Sequence, residues 1–127
     1  ELSRQRKKAL KGAKILLLGL AYKKNVDDMR ESPALTLIQL LEKAGAEVSY
    51  HDPFIVAVKP SREHGNLMGR RSVTLSSRNV TSADAVVIVT DHDAVDYALI
   101  GRHAKLVLDT RNAMSRAKVR GAHISKA

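Results

Sequence analysis

Lys14-Ile15-Leu16-Leu17-Leu18 runs straight into Gly19-Leu20-Ala21-Tyr22-Lys23-Lys24-Asn25-Val26-Asp27-Asp28-Met29-Arg30-Glu31-Ser32-Pro33. The first five residues form a short apolar run bounded by turn signals, the pattern of a strand buried on both faces of a parallel sheet. The next fifteen are charged and polar. Ser32-Pro33 then offers a hydroxyl at a helix N-cap and a proline at the first helical position. Apolar residues follow at 34, 35, 37, 38, 40, 41 and 44, while Thr36, Gln39 and Lys43 fall on one stripe. This predicts a helix over 34–44, buried over most of its circumference, with Gly45 at its C-cap. Glu47-Val48-Ser49-Tyr50-His51 alternates as a strand and closes at Asp52-Pro53. Strand, helix and strand in about 40 residues make a βαβ unit.

Outward from this unit the same grammar repeats. Ala85-Val86-Val87-Ile88-Val89 reads as a second fully apolar strand. Thr90-Asp91-His92-Asp93 turns the chain into a short helix over 94–100, which Gly101 should stop. Leu106-Val107-Leu108 is a third buried strand, ending at Asp109-Thr110-Arg111-Asn112. Val73-Thr74-Leu75 reads as a short extra strand, and the stretch from Ser61 as loop. The tail from Met114 is polar and basic, with little to pack. The expected fold is α/β, a Rossmann-like three-layer sandwich on a mostly parallel sheet. Strand ends after Leu18, Val89 and Leu108 should share one edge, where such sheets bind ligands. Lys23, Arg30, His92 and Arg111 are the residues expected to gather there.

Composition narrows the function. The chain has 127 residues and no cysteine, which excludes disulfides, thiolate metal sites and a cysteine nucleophile and fits a reducing, cytoplasmic setting. No apolar run approaches the ~20 residues of a membrane span. The formal charge is +9, of which residues 1–14 supply six basic side chains against one acidic. With three Tyr, one Phe and no Trp, there is almost no stacking platform for single-stranded nucleic acid. The basic arm reads better as a solvated helix face, and the mildly basic remainder suits a small anion. Residues 1–11 resemble the tail of a longer helix, so the chain is expected to be a piece of a larger protein.

The dinucleotide fingerprint wants G-x-G-x-x-G after the first strand. Here Gly19 stands alone among Leu20, Ala21, Tyr22 and Lys23. A backbone approach to a pyrophosphate is therefore not expected, and a phosphate would instead meet the side chains of Lys23 and Arg111. Each charge-assisted hydrogen bond of that kind is worth about 1.5–3 kcal/mol. Asp27 and Asp28 are adjacent and do not face each other, which suits turn-shaping rather than acid–base pairing. His51, Asp52, His92 and Asp93 match no standard metal-ligand spacing. No nucleophile elbow is present, and Ser32 before Pro33 serves better as a cap. No catalytic apparatus and no metal site are expected in this chain.

The loop from Gly19 to Pro33, with Tyr50-His-Asp-Pro53, Ala83-Asp84-Ala85-Val86-Val87, Thr90-Asp91-His92 and Leu108-Asp109-Thr110-Arg111, resembles the C-terminal, UDP-binding domain of the UDP-glucose/GDP-mannose dehydrogenase family. The wording of the loop and of Thr90-Asp91-His92-Asp93 is most similar to its UDP-N-acetylglucosamine 6-dehydrogenase branch, with UDP-N-acetylmannosamine and UDP-glucose dehydrogenases close beside it. The resemblance implies a two-step oxidation of the sugar C6 alcohol to a carboxylate with two NAD⁺. It implies a cysteine and a main NAD-binding domain N-terminal to this chain, and a central dimerisation helix whose end is residues 1–11. Residues 12–127 would be the UDP-sugar-binding domain, with Tyr22, Lys23 and Arg111 on the nucleotide sugar and Arg30 on the NAD. Asp27, Asp28, Ser32 and Pro33 would shape the loop. The partners implied are a UDP-sugar, the N-terminal and central domains, and a second subunit in a homodimer or larger assembly; neither nucleic acid nor a membrane is among them. A docking domain without ligand and a nucleic-acid module using the basic arm are the competing readings.

Overall fold

The computed structural model describes residues 11–21, 33–58, 67, 69–121 and 123–126. Five parallel strands form one sheet in the order β2-β1-β3-β4-β5. They are β1 (Lys14–Leu18), β2 (Glu47–His51), β3 (Ala85–Ile88), β4 (Val107–Asp109) and β5 (Ile124–Lys126). The helices are α1 (Pro33–Lys43), α2 (Ser77–Ser82), α3 (Tyr97–His103) and α4 (Ala113–Arg116). None of the described helices is long and apolar enough to cross a membrane.

The side-chain period of 2 divides each central strand between two cores. Ile15, Leu17, Tyr50 and Val87 face α1 and pack with its Ala34, Leu35 and Ile38. Leu16, Leu18, Val86 and Ile88 face the other way and pack with Val80 of α2, Ile100 of α3 and Met114 of α4. Register follows this division: Leu17 lies opposite Tyr50 on β2 and opposite Val87 on β3. Every residue of β3 is buried, as its continuous apolar run predicts. The result is the expected three-layer α/β sandwich. The first two strands match their sequence-predicted bounds. The end of α1 is closed by Gly45 N donating to Glu42 O at 3.0 Å and Ala46 N to Leu41 O at 3.1 Å, the double bond of a Schellman cap.

The structure corrects several expectations. The tail does pack: Met114 is buried, and β5 adds a fifth strand parallel to β4. Its apolar residues are too widely spaced to show a period. Helix α3 starts at Tyr97, where Asp96 accepts from Leu99 N, and runs through Gly101. That glycine is used for packing, since a Cβ there would lie 2.3 Å from Val119 Cγ1. Helix α2 carries a single buried apolar residue, Val80, which is why periodicity missed it. Ser76 caps it by accepting from Asn79 N at 3.1 Å. Residues 73–75 form no sheet strand. Val73 N instead donates to Tyr50 O at 2.8 Å and Ser72 Oγ accepts from Asp52 N at 2.9 Å. This strap covers the outer edge of β2, and Arg70 fastens it to Glu42 of α1 with two hydrogen bonds. Helix α1 buries only one face, leaving Leu40 60% exposed.

These burials predict unequal costs for the same substitution. Leu17→Ala, at a fully buried site, should cost about 2–5 kcal/mol in urea unfolding. Leu40→Ala should change stability by less than about 0.5–1 kcal/mol. Equal losses would contradict the assignment of the α1 face.

Candidate functional site at the C-terminal strand edge

Parallel strands deliver their exits to a single edge. Gly19–Ala21 leave β1, Asp52 follows β2, Val89–His92 follow β3, and Thr110 and Arg111 follow β4. In strand order the chain turns to β2 on one side of β1 and to β3 on the other. This is the switch point at which such sheets open a crevice. The buried polar residues of the described core are Asp52, Thr90, His92 and Asp109, and all four belong to this edge.

At the switch point Thr90 packs directly onto Gly19. A Cβ on Gly19 would lie 2.4 Å from Thr90 Cβ, and Gly19 has φ +91°, so glycine is required both for conformation and for space. Where a dinucleotide fingerprint has the glycine that lets backbone approach a pyrophosphate, this chain has Ala21, whose N–H and carbonyl are taken by Asp52 and Thr90. The described residues of the β1 exit therefore do not fit a dinucleotide phosphate loop.

Asp52 ties the edge together. Its Oδ2 accepts from Leu20 N at 2.7 Å, Ala21 N at 3.0 Å and His92 Nε2 at 2.9 Å. Its Oδ1 accepts from Phe54 N at 2.7 Å and Ile55 N at 3.1 Å. Burial alone would raise the pKa of this carboxyl. The hydrogen bond from His92 and those from Leu20 and Phe54 outweigh it and hold the pKa below the ordinary value. Asp52 is thus an anion, and His92 Nε2 is the donor between them. The Phe54 ring lies 4.9 Å from the imidazole, and Tyr97 Oη donates to His92 O at 2.7 Å. Burial, with Asp91 nearby, raises the Tyr97 phenol well above its ordinary value.

Arg111 is built differently. Its Nε donates to Val89 O at 2.9 Å and its backbone N to Asp109 Oδ1 at 3.0 Å. Asp109 also accepts from Ala113 N and Met114 N, so it holds the start of α4. Arg116 Nη1 donates to Arg111 O at 2.7 Å, and its other nitrogen pairs with Asp91. The Arg111 side chain is exposed, and among the described residues its terminal nitrogens make no hydrogen bond. A guanidinium oriented through Nε with its fork open suits a phosphate.

Of the expected site residues, Arg111 lies on this edge and Pro33 is the first residue of α1. Tyr22, Lys23, Asp27, Asp28, Arg30 and Ser32 lie outside the described residues, as do residues 1–10 of the expected helix end over 1–11; Lys11 is described and lies in a turn. His92 is at the edge but fully buried; it faces Asp52 rather than an open crevice. His51 Nδ1 lies 2.7 Å from Val73 O, in the strap. Among the described residues no group of three His, Asp or Glu could hold a metal ion. The sequence reading missed Asp52, Thr90 and Asp109 as the residues that hold the strand exits. Thr90 and Asp109 each follow an apolar run and Asp52 follows the alternating strand Glu47–His51, and a place at a strand end does not reveal a side chain that turns inward.

Asp52→Ala should cost about 3–5 kcal/mol, because four backbone N–H groups and a buried imidazole lose their acceptor. A lowered carboxyl pKa contributes stability that is present above its unfolded value and lost as pH falls through its folded value. Urea unfolding of the parent should therefore weaken as pH drops below the ordinary carboxylate range, and Asp52→Asn should flatten that limb. Parallel acid limbs would contradict the assignment.

Residues 16–116 match the UDP binding domain of the UDP-glucose/GDP-mannose dehydrogenase family. The chain is 35% identical over 111 residues to UDP-N-acetyl-D-mannosamine dehydrogenase of Pyrococcus horikoshii, covering 83% of this chain and 23% of that protein. It is 34% identical over 115 residues to UDP-glucose 6-dehydrogenase of Rhizobium meliloti, covering 87% and 25%. The solved structure of UDP-D-ManNAc dehydrogenase from P. horikoshii superimposes with a TM-score of 0.67 at 30% identity, covering 98% of this chain and 28% of that one. The chain thus spans about a quarter of the length of the curated relatives it matches. Their names divide between N-acetylmannosamine and glucose, so the family is common to them and the sugar is not; none of these names carries the N-acetylglucosamine expectation. With its sheet order, its strand-edge site and a match over most of its length, this chain belongs to the UDP-glucose/GDP-mannose dehydrogenase family, through that family's UDP binding domain.

Proposed function

We propose that residues 12–127 are the UDP-sugar-binding C-terminal domain of an NAD-dependent nucleotide-sugar 6-dehydrogenase, with residues 1–11 as the end of an interdomain helix. The observation that carries this reading is Arg111. Its guanidinium is anchored through Nε to Val89 O, just past the end of β3, and among the described residues carries an open fork at the strand edge. A diphosphate placed there meets a charged donor that cannot be deprotonated. Tyr22 and Lys23 join it on the nucleotide sugar, Arg30 reaches toward NAD, and Asp27, Asp28, Ser32 and Pro33 shape the loop between them.

In the whole protein the C6 alcohol of the sugar is oxidised to a carboxylate. NAD, held mainly by an N-terminal domain, supplies the redox chemistry, and this chain's residues bind and orient the substrate. The backbone of Ala21, taken on both sides by Asp52 and Thr90, supports that division. The substrate is UDP-N-acetylglucosamine by the wording of the loop, with UDP-N-acetylmannosamine and UDP-glucose as the alternatives that the relatives' names favour. The assembly is a cytoplasmic homodimer or larger oligomer.

Calorimetry of residues 1–127 with UDP should show weak binding, since the proposed cleft is shared with another domain. Arg111→Ala should weaken it about 10–100-fold, the equivalent of one charge-assisted contact. Equal affinity in both forms would overturn the Arg111 assignment. A flat titration to millimolar UDP would favour a docking domain without ligand.

A further inference from the structure

The backbone of Ala21 is held from both sides. Its N–H donates to Asp52 Oδ2 at 3.0 Å, and its carbonyl accepts from Thr90 Oγ1 at 2.7 Å. Leu20 N donates to the same carboxylate oxygen at 2.7 Å. Two side chains, one beyond the end of β2 and one beyond the end of β3, therefore fix the backbone that leaves β1. The carboxylate is itself held by His92 Nε2 at 2.9 Å, and His92 O is held by Tyr97 Oη. One residue before Thr90, Val89 O anchors the Arg111 guanidinium. The short segment 89–92 thus connects the Arg111 guanidinium on one side with the β1 exit on the other. Packing alone would be served by an apolar residue at position 92, which is fully buried. An imidazole donor aimed at the carboxylate serves orientation.

We propose that Asp52, Thr90 and His92 are positioning residues that clamp the backbone at Leu20 and Ala21 and so set the affinity of this edge for the uridine diphosphate group. None of the three touches the ligand. The proposal rests on the UDP-binding reading above and predicts something that reading does not: that loss of a buried donor outside the site weakens the ligand.

The test compares Thr90→Val, His92→Leu and His92→Gln with the parent chain, using UDP as the probe in calorimetry and amide hydrogen exchange at Leu20 and Ala21. Ser76→Ala, which removes the cap of α2 far from the edge, is the control for a loss of stability alone. Thr90→Val and His92→Leu should weaken UDP at least tenfold and speed exchange at Leu20 and Ala21 at least tenfold. Ser76→Ala should leave both within twofold. His92→Gln, whose amide can donate to Asp52, should recover most of the UDP affinity. If His92→Leu does not fold, Thr90→Val carries the test. UDP affinity within twofold of the parent in the folded variants would overturn the clamp and leave the UDP reading standing. A parent chain that does not bind UDP would overturn that reading, and unchanged exchange at Leu20 and Ala21 would then overturn the clamp independently.

Discussion

A carboxylate out of water is tolerated only where donors converge on it, and five of them converge on Asp52. Four are backbone N–H groups from two loops, and the fifth is a buried imidazole from a third. Removing any one of these segments would leave the charge underpaired, so the three loops must form together. The sheet supplies the apolar stability of this domain. The carboxylate decides how the strand exits are arranged at the edge of that sheet.

That arrangement explains how a Rossmann-like sheet can lack its usual phosphate loop. Thr90 sits on Gly19, and its hydroxyl is spent on Ala21 O. Among the described residues the N–H groups of Leu20 and Ala21 at the switch point are taken by Asp52, so under the reading proposed above an anion is met by side chains. Arg111 is suited to that work because its own neighbours prepare it. Asp109 holds its backbone, Val89 O orients its guanidinium, and Arg116 ties its carbonyl while pairing with Asp91. Among the described residues the same edge thus combines hydrogen-bonded buried polar groups with the exposed, oriented guanidinium of Arg111.

Much of this was legible in the residues, and for definite reasons. Strand β2 was readable because strict alternation argues a strand, and β1 because its apolar run is short for a helix and lies between Gly12 and Gly19. The place of Arg111 at the strand edge was readable because it follows the apolar run that ends at Leu108. The tail was not, because Met114, Val119 and Ile124 are separated by polar residues and bury only through tertiary packing. Helix α2 was not, because its cap and one valine suffice to form it. His92 was expected at the crevice and stands behind it. Sequence places a residue at a strand end but does not say whether the side chain turns outward to ligand or inward to a carboxylate 40 positions away.

The central claim is that the C-terminal strand edge of this domain receives the uridine diphosphate group. The most direct measurement is a titration of the isotopically labelled chain with UDP, followed through backbone amide shifts. The account predicts saturable shifts concentrated at Leu20, Ala21, Thr90, Thr110 and Arg111. Shifts confined to the opposite edge, around the groove lined by Lys14, Glu47 and Asn79, would contradict it.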